Sequence, residues 1–121
     1  MLAGCATVPP ARGDSFTRET APLTEGWSFR YDDAWTPEEA RSADVDAWER
    51  VALPHTWNRL GEYRLERTAA TDNRQGKGWY RRTIDGRALD PTLRHFAEFD
   101  AVGNVADVWL NGQHLGRHAG H

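Results

Sequence analysis

The chain has 121 residues, 39% of them apolar and 11% aromatic, with six tryptophans and a formal charge of −3. That length is one ordinary domain with enough apolar material for a modest core, which argues against wholesale disorder, and the slightly acidic balance gives no basic footprint for nucleic acid. No run of about 18 apolar residues exists to cross a membrane as a helix, and a single cysteine can form neither an internal disulfide nor a cysteine-based zinc site.

In chain order, residues 1–22 are small, contain proline and lack periodicity, as a leader and linker would. Leu2-Ala3-Gly4-Cys5 resembles the lipobox at the cleavage site of bacterial lipoprotein precursors. The resemblance implies a lipid on the Cys5 thiol, with Ala6-Thr7-Val8-Pro9-Pro10 as a flexible tether. A complete signal needs a basic start and about 7–15 apolar residues. Only Met1 to Gly4 precede the cysteine, so a truncated lipoprotein signal is expected.

Order is expected from Leu23. Gly26-Trp27-Ser28-Phe29-Arg30 alternates apolar and polar residues, the pattern of a half-buried strand. Thr36, Pro37 and Glu39 have the spacing of a capping box, which predicts one short turn of helix or a loop. Trp48 to Pro54 reads as a short strand ended by proline, and residues 58–76 as a long charged loop, a kind that is usually functional or mobile. Gly78-Trp79-Tyr80-Arg81-Arg82-Thr83-Ile84 has strong strand composition. Asp85-Gly86 and Asp90-Pro91 are turn signals. Strands are then predicted over 93–99 and 105–110. In the latter, Ala106, Val108 and Leu110 share one face, and Val105, Asp107 and Trp109 the other. Asn111-Gly112 predicts a type I′ turn returning through 113–117. Short strands separated by turns suggest an antiparallel sandwich.

Three blocks occur in order: Leu53-Pro54-His55-Thr56-Trp57-Asn58; Gly78-Trp79-Tyr80-Arg81-Arg82; and Phe99-Asp100-Ala101-Val102 running into Val108-Trp109-Leu110-Asn111-Gly112 and Leu115-Gly116. Together they resemble the N-terminal sugar-binding domain of family 2 glycoside hydrolases, the family of β-galactosidases, β-glucuronidases and β-mannosidases. The resemblance covers about residues 23–120 and implies an all-β fold, a galactose-binding-like jelly-roll β-sandwich. Family members continue past the Leu115-Gly116 region with at least one closing strand, so residues 23–121 are expected to be a partial domain, incomplete at the C-terminus, with an open sheet edge. The implied parent is an exported, lipid-anchored enzyme of the bacterial cell envelope, in the periplasm or at the cell surface. It hydrolyses terminal β-linked sugars, β-galactosides first. Its other parts, an immunoglobulin-like domain and a catalytic barrel, are this domain's expected partners besides the carbohydrate substrate. Membrane contact is expected only through Cys5, and no cofactor is implied. Two alternatives remain: a stand-alone carbohydrate-binding module without catalysis, and a purely structural sandwich.

A retaining glycosidase needs two carboxyl groups about 5–5.5 Å apart. In this family they are Glu residues of a (β/α)8 barrel, which needs about 250 residues, so no catalytic residue is expected here. Glu98 and Asp100 share a face of one predicted strand, where paired carboxylates are usually solvated. The resemblance instead points to Asp72-Asn73, ahead of the Gly-aromatic strand, as substrate-binding residues, since carboxylate and amide groups suit sugar hydroxyls; the alternative is an Asx turn. His114, His118 and His121 are read as surface histidines rather than a metal site, because i and i+4 on a strand share a face but lie about 13 Å apart. His55 is expected to be a hydrogen-bonded structural residue. Trp35 and Tyr63 are candidate sugar platforms, or plugs for the ends of a sandwich.

Overall fold

The computed structural model describes residues 2–8, 15–58 and 75–120. They are mostly β-strand in small antiparallel sheets, with little helix. The chain divides into two compact units, Thr24–Arg82 and Met1–Leu23 with Thr83–His121.

The Thr24–Arg82 unit is built on β3 (Trp27–Tyr31), which lies between β4 (Glu49–Val51) and β5 (Gly78–Arg81). Successive strand residues point to opposite faces. Ser28 and Phe29 are adjacent and only 2% and 3% exposed, so both faces of β3 are covered. This differs from the half-buried strand that alternation predicted. On one face Phe29, paired with Tyr80, meets the rings of His55, Trp57 and Tyr80 at centroid distances of 4.8, 5.7 and 4.8 Å. Burying a phenylalanine contributes about 1.5–3 kcal/mol, and aromatic pairs add about 0.5–1.5 kcal/mol each.

The other face carries Ser28, Arg30, Trp79 and Arg81, paired across β3 and β5. It is tied to α1 (Pro37–Ser42), whose start follows the sequence signal. Thr36 Oγ1 accepts from the Glu39 amide, and the Glu39 carboxylate accepts from the Thr36 amide. Such a box satisfies two backbone donors that the helix itself leaves unpaired. The Arg81 guanidinium donates to the carbonyl of Ala43, the C-cap, at 2.7 Å. A cation there also suits the negative end of the helix dipole. A 3₁₀ turn, Val45–Ala47, leads into β4. Ala40 and Trp48 are buried, and the Trp48 indole N–H has no hydrogen-bond partner among the described residues.

In the second unit, β1 (Leu2–Val8) pairs with β2 (Ser15–Ala21) and with β6 (Arg94–Ala97). Two paired strands thus stand where sequence composition suggested a linker. Antiparallel pairing satisfies their backbone groups without needing side-chain periodicity. β6 is shorter than predicted. Before it, the turn signals are used as expected: Asp85 caps a 3₁₀ turn over Gly86–Ala88, and Asp90 Oδ1 accepts from the Thr92 amide and hydroxyl.

β7 (Val105–Leu110) and β8 (Gln113–Ala119) form the predicted hairpin. Asn111 and Gly112 have φ of 50° and 83°, the positive values that a type I′ turn needs. The strands do not run in simple register: Val108 faces Gly116 but Trp109 faces His114, so Leu115 is an extra, bulged residue. Phe96, Phe99, Val105, Trp109, Leu110 and Leu115 are exposed in this unit.

Gly78 leaves a sharp packing test. A Cβ at this position would stand 2.5 Å from Trp57 Cζ3 and 2.9 Å from Phe29 Cε2. Gly78→Ala is expected to cost about 1–3 kcal/mol by overpacking, read as a lower denaturant midpoint than that of the unsubstituted chain. An unchanged midpoint would refute this close approach.

Candidate functional site

The aromatic group around Phe29 is the best-defined cluster of chemistry-bearing side chains among the described residues. His55 Nδ1 and the Tyr80 hydroxyl are joined by a 2.8 Å hydrogen bond. Burial, and then the Glu49 carboxylate, push the Tyr80 phenol up to about 12. A hydroxyl that stays protonated and half-buried beside imidazole is a fixed hydrogen-bonding group, not a proton carrier near neutral pH. His55 packs at the same time on Phe29 and edge-on to Tyr80. The structure therefore places His55 as the structural histidine that its strand-end context suggested.

Trp35 sits against Trp48, with ring centroids 5.8 Å apart, and the Arg30 guanidinium lies 4.3 Å over its ring. Arg30 is held in turn by Asp32 at 3.3 Å. A ring packed against a buried tryptophan and capped by a guanidinium acts as a plug, because its faces are already engaged. Of the two expectations for Trp35, platform or plug, this packing fits the plug.

Glu98 and Asp100 are not paired on a strand either. β6 ends at Ala97, and Glu98 instead forms a 2.9 Å ion pair with Arg18 of β2. The Asn111-Gly112 turn puts His114 opposite Trp109, and the bulge at Leu115 puts His118 opposite Ala106. Trp109 and Ala106 are three apart on a continuous strand, so the two histidines lie on opposite faces rather than sharing one. His114 Nε2 is bonded to Asp107 Oδ1 at 2.9 Å.

Asp72, Asn73, Tyr63 and His121 lie outside the described residues. What is described is the stretch that follows Asp72-Asn73. The Tyr31 hydroxyl donates to the Gln75 carbonyl at 2.6 Å, the Asp32 amide donates to the Lys77 carbonyl at 3.1 Å, and the Trp79 indole donates to the Asp32 carbonyl at 2.8 Å. Residues 75–79 are thereby laced to the end of β3. Sequence reading did not find this lacing, since only the pairing of β3 with β5 brings Tyr31 near Gln75. Cys5 lies in β1, in register with Arg18 of β2 and Arg94 of β6.

Comparison with known proteins gives the affiliation. The chain is 31% identical over 103 residues to a β-glucuronidase of Bacteroides fragilis, covering 85% of this chain and 13% of that protein. It is 31% identical over 102 residues to β-galactosidase BoGH2A of Bacteroides ovatus, covering 82% and 12%. A β-glucuronidase of Formosa agariphila is 29% identical over 109 residues, covering 85% and 11%. The chain is a distant relative of family 2 glycosidases. It spans about an eighth of the length of these relatives. No family model and no solved structure matches it.

The Tyr80 shift predicts a pH dependence. A phenol with a folded value near 12 against an ordinary 10 holds its proton better in the folded state. Its contribution to stability is complete below pH 10 and is lost as pH rises from 10 to 12. Of the three tyrosines, one should therefore ionise late in an absorbance titration at alkaline pH. Tyr80→Phe should remove that late step and flatten the loss of stability across this window. A titration in which no phenol ionises late would contradict the burial of Tyr80.

Proposed function

We propose that the chain is the first, non-catalytic β-domain of a family 2 glycoside hydrolase that cleaves terminal β-linked sugars. The observation that carries this is the similarity at 31% identity over more than four-fifths of the chain to proteins named β-glucuronidase and β-galactosidase. The antiparallel β-architecture is compatible with it, and a jelly-roll sandwich is the form we propose for the complete domain. The carboxyl pair of the reaction belongs to a barrel elsewhere in the parent. The relatives' names favour a β-galactoside or a β-glucuronide as substrate. We place Asp72 and Asn73 as its contacts from this domain, on residue type and on their position before the Gly-aromatic strand.

The DNA beyond codon 121 is the direct test. It is expected to continue in frame into an immunoglobulin-like domain and a barrel with two catalytic glutamates; an in-frame stop in an intact genome would sink the proposal. The whole reading frame should hydrolyse a chromogenic β-galactoside or β-glucuronide. Asp72→Ala should lower kcat/KM about tenfold, the scale of one lost charge-assisted hydrogen bond, and an unchanged value would remove Asp72 from the site.

The Leu2-Ala3-Gly4-Cys5 sequence supports a further part of the proposal, a lipid anchor on Cys5 that holds the parent in the cell envelope. Cells expressing the native gene should incorporate labelled palmitate into the protein, and Cys5→Ser should abolish it. Labelling that persists in the variant would overturn the anchor.

A further inference from the structure

Two turn residues of this chain, Asp85 and Asn111, each precede a glycine. Such a pair has a covalent chemistry of its own. The glycine amide nitrogen can attack the side-chain carbonyl carbon of the residue before it, and the missing Cβ leaves that nitrogen uncrowded. With asparagine, the new C–N bond closes a five-membered succinimide and ammonia leaves. Water then opens the ring at one carbonyl or the other, which gives aspartate or isoaspartate.

The two sites differ in the structure. The Asp85 carboxylate is engaged: it accepts from the Arg87 amide at 3.0 Å and from two guanidinium nitrogens of Arg87, each at 3.0 Å. Arg87 holds that carboxyl below the usual carboxylate range, and an ionised carboxylate resists attack by an amide nitrogen. Asn111 carries a neutral amide and stands exposed at the tip of the β7–β8 turn. Leu110 and Gln113 close this turn, so the Gly112 nitrogen takes no part in the ladder. Asn104 also has a positive φ, 57°, but the next nitrogen belongs to the β-branched Val105, and the Asn104 carbonyl accepts from the Gly120 amide at 2.7 Å.

Turn geometry decides when the reaction can run. A type I′ turn sets ψ of its first central residue at about +30°. For an L-residue that ψ puts the following nitrogen nearly anti to Cβ, whereas ring closure needs the two almost eclipsed. The closed hairpin therefore shields Asn111, and opening exposes it. β7 and β8 form a sheet of two strands in which every β8 residue is exposed, and a two-stranded hairpin is marginally stable alone. We propose that Asn111 is a self-modification site gated by the opening of β7–β8, where the side chain loses ammonia and takes up water to become aspartate or isoaspartate. Isoaspartate adds a methylene to the main chain, and a two-residue turn that closes Leu110 on Gln113 cannot absorb it. The hairpin is thereby kept from reclosing in its original register. This chemistry is independent of the glycosidase reading.

Peptide mass spectrometry of the 121-residue chain tests it, after incubation at neutral pH in buffer and in concentrated guanidinium chloride. The tryptic peptide 95–117 holds both Asn104 and Asn111, so fragmentation assigns the amide-to-acid mass gain to one or the other. Conversion at Asn111 is expected to be about tenfold or more faster in denaturant than in buffer, because a reaction through an opened state scales with the population of that state. Asn104 should stay intact over the same time. Gly112→Ala should slow the conversion in denaturant about tenfold, since a Cβ crowds the attacking nitrogen, and this holds whether or not the variant folds. Equal rates of the unsubstituted chain in the two solvents overturn the gate. No conversion in denaturant, equal conversion at Asn104, or an unslowed Gly112→Ala overturns the site. The isoaspartate form, separated by its added negative charge, should exchange its β7–β8 amide hydrogens faster than the unconverted chain. Equal protection of the two forms overturns the loss of closure.

Discussion

The Thr24–Arg82 unit depends on one residue, Phe29. It is the most buried large side chain among the described residues, and three rings converge on it. Those rings come from separate stretches: His55 and Trp57 follow β4, and Tyr80 lies on β5. Phe29 gives Trp57 and the directly contacting His55–Tyr80 pair a common packing surface, which helps offset the entropy of closing the connection between residue 58 and residue 75. Gly78 is part of the same constraint. Trp57 can lie against Phe29 only because β5 carries no side chain at the crossing point.

The opposite face of β3 solves a different problem. Ser28 is small and buried, and its neighbours in the sheet are arginines and a tryptophan. These long side chains cover apolar surface with their stems while placing their charged ends on carbonyls or rings. Arg81 closes the C-terminus of α1, and Arg30 caps Trp35. A six-residue helix has little stability of its own. It is held at one end by its capping box and at the other by a strand arginine.

Much of this was legible in the sequence because it depends on local chemistry. The capping box at Thr36, the Asx-type turns at Asp85 and Asp90, and the Asn111-Gly112 hairpin all formed where their residues stand, since each needs only its own few neighbours. The three blocks that resemble family 2 glycosidases fall on described structure, and relatives of that kind were found. Other features were not legible. Alternation at 26–30 suggested a half-buried strand because it counts polarity, whereas Ser28 is buried by what packs on it. Trp35 looked available as a platform until Arg30 and Trp48 were seen to occupy it. Asp72 and Asn73 lie outside the described residues, so their role stays on residue type and order.

The sequence by itself determined the β-rich class, the turns and the relationship to family 2 glycosidases, because turn chemistry and residue order are carried in a few adjacent side chains. Only the tertiary structure decided which faces those strands present. It covered both sides of β3, and it inserted one extra residue in β8. With a side-chain period of two, a single inserted residue exchanges the faces. That is why Arg117 stands opposite Asp107, where the register of the turn carried on unbroken would have set Gly116.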